Sequence, residues 1–152
     1  MKIYISLPMS GHSPADSLLR SQNLEQLLHK EYRNETIELT VRRGVRPGER
    51  LEVFNPVDFG LHHPELKYEE YMARDIEQLL QSDAILLGRG WLFSKGCRLE
   101  WAAAHVYGIP VLIEDENKED TLRTFGYTDL IMASQTFKRD IHGLYEDDLL
   151  PF

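Results

Sequence analysis

Ala84-Ile85-Leu86-Leu87, the loop Gly88-Arg89-Gly90-Trp91-Leu92-Phe93-Ser94-Lys95-Gly96 and, further on, Gly108-Ile109-Pro110-Val111-Leu112-Ile113 decide the fold. The first four residues are a short apolar run, the pattern of a buried strand. Ser94 and Gly96 then precede a helix in which Leu99, Ala102, Ala103 and Val106 recur at helical spacing. Gly108-Ile109-Pro110 ends that helix, and Val111-Leu112-Ile113 is the next strand. Strand, helix and strand in this order form a βαβ unit, which implies a parallel sheet with a right-handed crossover.

Working toward the N-terminus, a strongly helical pattern runs from about Glu65 to Ser82. Tyr68, Tyr71, Met72, Ile76, Leu79 and Leu80 share one face there. Glu35 to Asn55 alternates as a half-exposed extended segment, broken at Gly44 and Pro47-Gly48, and Asn55-Pro56 closes it in a turn. Ser13-Pro14-Ala15-Asp16 carries the start signals of a helix: a capping serine, proline at its first position and a carboxylate at its third. Leu18, Leu19, Leu27 and Leu28 give that helix an apolar face as far as about Tyr32. Ile3 to Leu7, stopped by Pro8 and Gly11, is a buried first strand. Beyond residue 113 the pattern weakens. Glu114 to Asp120 is an acidic loop, Leu130-Ile131-Met132 is expected to be an edge strand, and Tyr145 to Phe152 a docking tail. The expectation is one domain over residues 1–152, a three-layer α/β fold with a flavodoxin/Rossmann-like parallel sheet and helices on both faces.

Composition narrows the function. The hydrophobic fraction of 42% and charged fraction of 28% suit an ordinary soluble domain. A net charge of -8 argues against a surface built to coat a nucleic-acid polymer, though not against one small phosphorylated ligand. Cys97 is the single cysteine, so no intrachain disulfide forms, and a reducing, cytoplasmic setting is expected. No apolar run approaches the roughly 18 residues of a membrane span, and no secretory leader is visible, so no membrane partner is expected. The six histidines show no metal-site spacing, and neither a metal nor a cofactor is expected.

In an open parallel sheet ligands sit beyond the carboxyl ends of the strands, where strand order reverses. With the order 2-1-3-4-5, the first strand and the 84–87 strand are neighbours at that point. Their loops contain Ser10 and Gly11, and Ser94 and Gly96. Either loop is a set of tight turns or a phosphate cradle of backbone N–H groups at a helix start. Two carboxylates occupy informative places. Asp75 falls in register with the buried stripe of its helix, so it is paired with an arginine such as Arg74 or Arg98, or it faces a polar cleft. Glu100 lies early in its helix, where the dipole favours the ionised form; it is either a solvated glutamate or a nucleophile. Paired carboxylates at one crevice suit glycosidic chemistry.

Several short motifs then occur in order: Tyr4-Ile5-Ser6-Leu7-Pro8-Met9-Ser10-Gly11, Asn55-Pro56, Tyr71-Met72-Ala73-Arg74-Asp75 and Ser82-Asp83-Ala84-Ile85. Gly90-Trp91 and Ser94-Lys95-Gly96-Cys97-Arg98-Leu99-Glu100 follow, then Ala103, Gly108 and Val111. Over roughly residues 1–113 the chain resembles the nucleoside 2-deoxyribosyltransferases and the related 2'-deoxynucleoside 5'-monophosphate N-glycosidases. The resemblance implies that Glu100 forms a covalent deoxyribosyl ester, that Asp75 contacts the sugar or the leaving base, and that Tyr4 positions the nucleophile. It implies phosphate contacts from Ser94 and Gly96, with Ser10 and Gly11 opposite. The implied partner is a nucleoside or nucleotide, and the implied assembly a homodimer or higher homo-oligomer. Leu7 and Trp101 stand where relatives commonly carry glycine, and they motivate the alternative of a non-catalytic nucleotide-binding protein on the same fold.

Three further features stand apart from that scheme. Trp91 and Phe93 either stack a nucleobase or serve as core or dimer contacts. Cys97 is better read as a buried thiol than as a reactive one. Arg42, Arg43, Arg46 and Arg50 form a basic run, either a solvated hairpin face or a partner-binding patch.

Overall fold

The computed structural model describes residues 1–9, 11–34 and 49–144, with backbone alone for 142–144. The basic run at Arg42, Arg43 and Arg46, most of the extended segment that begins at Glu35, and the tail from Tyr145 lie outside the described residues; so does Ser10.

Five strands form one sheet: β1 (Lys2–Ser6), β2 (Glu52–Phe54), β3 (Ala84–Leu87), β4 (Val111–Glu114) and β5 (Leu122–Thr124). Their spatial order is β2-β1-β3-β4-β5, and all pairs are parallel except β4 with β5. The expected order is therefore the observed one, with β1 and β3 side by side where the winding reverses.

Period-2 alternation assigns the side chains to two cores. Ile3, Ile5, Ala84, Leu86 and Leu112 face α1 (Pro14–Arg33) and α2 (Pro56–His62), meeting Leu24, Leu28 and Val57. Tyr4, Ile85, Leu87 and Ile113 point the other way, toward α3 (Tyr68–Leu80), α4 (Lys95–Val106) and α5 (Tyr127–Leu144). That makes three layers.

Helix starts follow the local chemistry. The Ser13 hydroxyl accepts from the Asp16 amide at 3.1 Å, with Pro14 at the first helical position. Asn55-Pro56 is the cap and first residue of α2 and not a simple turn: the Asn55 side chain accepts from the amides of Val57 and Asp58 at 3.1 and 3.3 Å.

The structure corrects four further sequence expectations. Leu130-Ile131-Met132 is not an edge strand; it lies in α5, whose first turn is closed by the Asp129 carboxylate accepting from the Gly126 amide at 2.8 Å. Three adjacent apolar residues look like a strand, but Ile131 and Met132 are exposed while Ala133 is buried. The edge strand is Leu122–Thr124. The helix expected from Glu65 begins at Tyr68, and its ends, Tyr68 and Leu80, are exposed. In α1 the inward positions are Ser17, Ser21, Leu24 and Leu28, with Leu19 outside. In α4 the buried face is Cys97, Glu100, Trp101 and Ala104, leaving Leu99 and Val106 in solvent. Polar residues at core spacing misled the reading of both helices.

A half-buried ion pair joins α4 to α5. Arg98 Nε and Nη2 donate to the two Asp140 oxygens at 2.6 and 2.8 Å, and Nη1 donates to the Leu92 carbonyl at 3.1 Å. A lysine keeps the charge and loses the fork. Arg98→Lys is therefore expected to cost about 1–2 kcal/mol in urea unfolding. A change below the error of the measurement would show that the tether carries no stability. Among the described residues, no helix is long and apolar enough to cross a membrane.

Candidate functional site

At the carboxyl end of β1, between α3 and α4 and reaching across to α2, a cleft of about 800 Å³ opens. Its floor includes Tyr4 from β1, Asp75 from α3 and Glu100 from α4. Ser94, Lys95 and Gly96 line the rim at the start of α4, and Leu61, Met72 and Phe93 supply apolar walls. Tyr71 holds the wall in place: its hydroxyl donates to the carbonyls of His63 and Gly60.

Each acid reaches this cleft for a local reason. Asp75 is one helical turn before Leu79, which is fully buried, so its side chain is carried inward with the stripe. Glu100 lies three residues after Cys97 and four before Ala104, both buried, and is itself only 7% exposed. It is not a solvated glutamate.

Hydrogen bonding at the floor is incomplete. The Ser6 hydroxyl donates to Glu100 Oε1 at 3.1 Å. Glu100 Oε2, Asp75 Oδ1 and the Tyr4 hydroxyl are all buried without a hydrogen-bond partner. A buried polar atom left unmatched costs roughly 1–3 kcal/mol, and three of them line one cleft. Neither arginine considered for Asp75 reaches it: Arg98 is engaged by Asp140, and Arg74 is exposed.

Burial dominates the electrostatics. It pushes the Glu100 carboxyl up to about 8; the charge of Asp75 adds to the rise, while the hydroxyls of Tyr4 and Ser6 oppose it. This reverses the expectation that the helix dipole keeps Glu100 ionised. The dipole acts on the first turn and fades beyond it, and Glu100 is the sixth residue of α4. Burial raises Asp75 to about 6. Tyr4 rises too, first through burial and then through the two neighbouring carboxylates. The Cys97 thiol is buried and pushed up to about 11, as fits an inert thiol.

The remaining expected site residues divide. Ser94 and Gly96 line the cleft, and the Ser94 hydroxyl accepts from the Cys97 amide at 3.3 Å as the cap of α4. Gly11 is exposed, in a left-handed turn at φ 82°, and is not part of the lining. Trp91 does not enter the cleft. It is buried against Trp101 and Phe125, with ring centroids 6.2 Å from each. Phe93, two residues on, is the aromatic of this loop that faces the cleft, and it is 88% exposed. Trp101 points into the same core as Trp91 and leaves the cleft free, whereas Leu7 forms part of its lining.

Ser6 escaped the sequence reading as a site residue. The signal was present, because alternation along β1 places Ser6 on the face of Tyr4.

Residues 48–113 match the model of a family described as a domain of unknown function (DUF4406). The matched stretch contains Asp75, Ser94, Gly96 and Glu100, and stops short of Tyr4 on its N-terminal side. No curated protein and no solved structure gives a significant match.

Proposed function

We propose that this chain cleaves or transfers at the N-glycosidic bond of a nucleoside or (deoxy)nucleoside 5'-monophosphate, with Glu100 as nucleophile. One observation carries the reading: a buried carboxyl, a half-buried one and a phenol each present a buried, unmatched polar atom at one cleft. A sugar supplies hydroxyl groups that can complete such a set. The resemblance over residues 1–113 supplies the reaction class, and the matched family is related to nucleoside 2-deoxyribosyltransferase-like folds. The cap of α4, with Ser94, Lys95 and Gly96 on the rim, suits an anionic group on the sugar and favours a monophosphate over a free nucleoside.

In this mechanism Glu100 Oε2 bonds to the anomeric carbon as the carbon–nitrogen bond breaks. The bonding pair leaves with the base, which takes a proton from water. Asp75 accepts from the sugar or orients the base, and the Tyr4 hydroxyl steadies the attacking carboxylate. Water then adds to the anomeric carbon, the ester opens to carboxylate, and the released proton passes to solvent. A second base in place of water gives transfer.

Glu100 must be ionised to attack. Its midpoint near 8 and that of Asp75 near 6 belong to neighbouring groups that titrate as a pair. For base release from a panel of deoxynucleotides, kcat/KM is therefore expected to climb with pH between about 6 and 8 and to level off above. A profile that is flat or falls over that interval removes Glu100 from the nucleophile's role.

The non-catalytic reading has one observation in its favour: burial keeps Glu100 mostly protonated at neutral pH. It predicts tight, reversible nucleotide binding by calorimetry, with the ligand recovered unchanged.

A further inference from the structure

We infer that Ser6 is a positioning residue: its hydroxyl anchors Glu100 Oε1 and leaves Oε2 as the single oxygen free to react. The inference rests on the reading of Glu100 as the nucleophile.

Ser6 is the last residue of β1, which lies between β2 and β3, and it pairs in register with Leu87. Its carbonyl accepts from the Gly88 amide at 2.8 Å, so the backbone is held on the side of β3 right up to the loop. The side chain is 1% exposed. A hydroxyl buried that deeply needs a partner, and this one donates to Glu100 at 3.1 Å. The donor is therefore fixed in the sheet while the acceptor rides on a helix. The bond ties the two layers together at the site of reaction.

Consider what else faces Glu100. Tyr4 comes from β1, Asp75 from α3 and Cys97 from the first turn of α4; Lys95 lies on the rim of the same cleft. Asp75 opposes the negative charge and Cys97 stays a thiol. The Tyr4 hydroxyl lies near enough to favour the ionised carboxyl, but its geometry completes no hydrogen bond. Among the described residues, Ser6 alone gives the carboxyl a formed hydrogen bond.

Two consequences follow for a carboxylate held at one oxygen. Rotation about its terminal torsion is restricted, so the free oxygen keeps one aim. The ionised form is also favoured, which counters part of the effect of burial.

Nuclear magnetic resonance of carboxyl-labelled glutamate, with Glu100→Gln to assign the signal, reads this directly in the full chain. Ser6→Ala is expected to raise the Glu100 midpoint by about one pH unit. The acidic limb of kcat/KM for deoxynucleotide base release should move by the same amount, while KM stays near its original value. Ser6→Thr, which keeps the hydroxyl, should leave both near the unaltered protein. An unmoved midpoint in Ser6→Ala, or equal movement in the alanine and threonine variants, overturns the role of Ser6 and leaves the glycosidic reading untouched. Failure of the unaltered protein to release base from any deoxynucleotide overturns that reading and the positioning role with it, even where the midpoint moves.

Discussion

If Glu100 is the nucleophile proposed above, Glu100→Gln is expected to lose base release by roughly 10³-fold or more, because the amide offers no anionic oxygen to the anomeric carbon. The same substitution is expected to gain stability above neutral pH. Glu100 titrates near 8 in the folded chain against an ordinary 4.5. Its folded midpoint is raised, so the neutral carboxyl favours the folded state. That contribution is complete below about 4.5 and is lost as pH rises toward 8. Asp75 adds a smaller loss of the same sign up to about 6. The unaltered protein should therefore lose on the order of 3–5 kcal/mol across this window through Glu100. Glu100→Gln should remove most of that slope. Thermal unfolding scans from pH 4 to 9 test it, and parallel curves for the two proteins would show that Glu100 is not buried as described.

Trp91→Ala is the second large effect, and it falls on stability. Trp91 sits in the core with Trp101 and Phe125, and truncating a buried tryptophan costs about 3–5 kcal/mol. Phe93→Ala, at an exposed position, should change stability by no more than about 0.5 kcal/mol and weaken nucleotide binding instead. Denaturant unfolding and calorimetry on both variants separate the two positions. The opposite pattern, with Trp91→Ala stable but unable to bind, would return Trp91 to the role of a stacking platform.

The contrast between Trp91 and Phe93 shows where sequence reasoning stops. Both are aromatic, both stand in one loop between a strand and a helix, and composition cannot say which faces inward. Long-range facts decide it: the antiparallel strand at 122–124 and the helix after it bring Phe125 and Ala133 over Trp91's side of the sheet. Neither element had a clear periodic signature, since Leu122-Arg123-Thr124 is three residues with a charge at its centre. The βαβ core was legible because Ala84–Leu87 and Val111–Ile113 are uninterrupted apolar runs. Glu100 and Asp75 were legible as candidates from their places in helices; that they share a cleft was not. The protonation of Glu100 is not legible in the sequence for a physical reason. The dipole of a helix is visible in sequence, and the depth at which a side chain lies is not.

Ser6 teaches the complementary lesson. A serine at the end of a buried strand looks like punctuation. Its meaning came from the alternation that turns it toward Tyr4's side, together with a carboxyl 94 positions away in the chain.

The meeting of Leu7 and Gly88 has a consequence for how this molecule can vary. A methyl group built on Gly88 would come within 2.6 Å of Leu7 Cδ1 and 3.3 Å of Leu24 Cδ1. The bulk of the leucine therefore occupies space that the glycine vacates, and positions 7 and 88 share one fixed allotment of volume. Neither side chain can be chosen alone. A lineage that trimmed the leucine to glycine would widen the cleft and at once release position 88 from its restriction, so the size of group the cleft admits and the loop sequence would drift together.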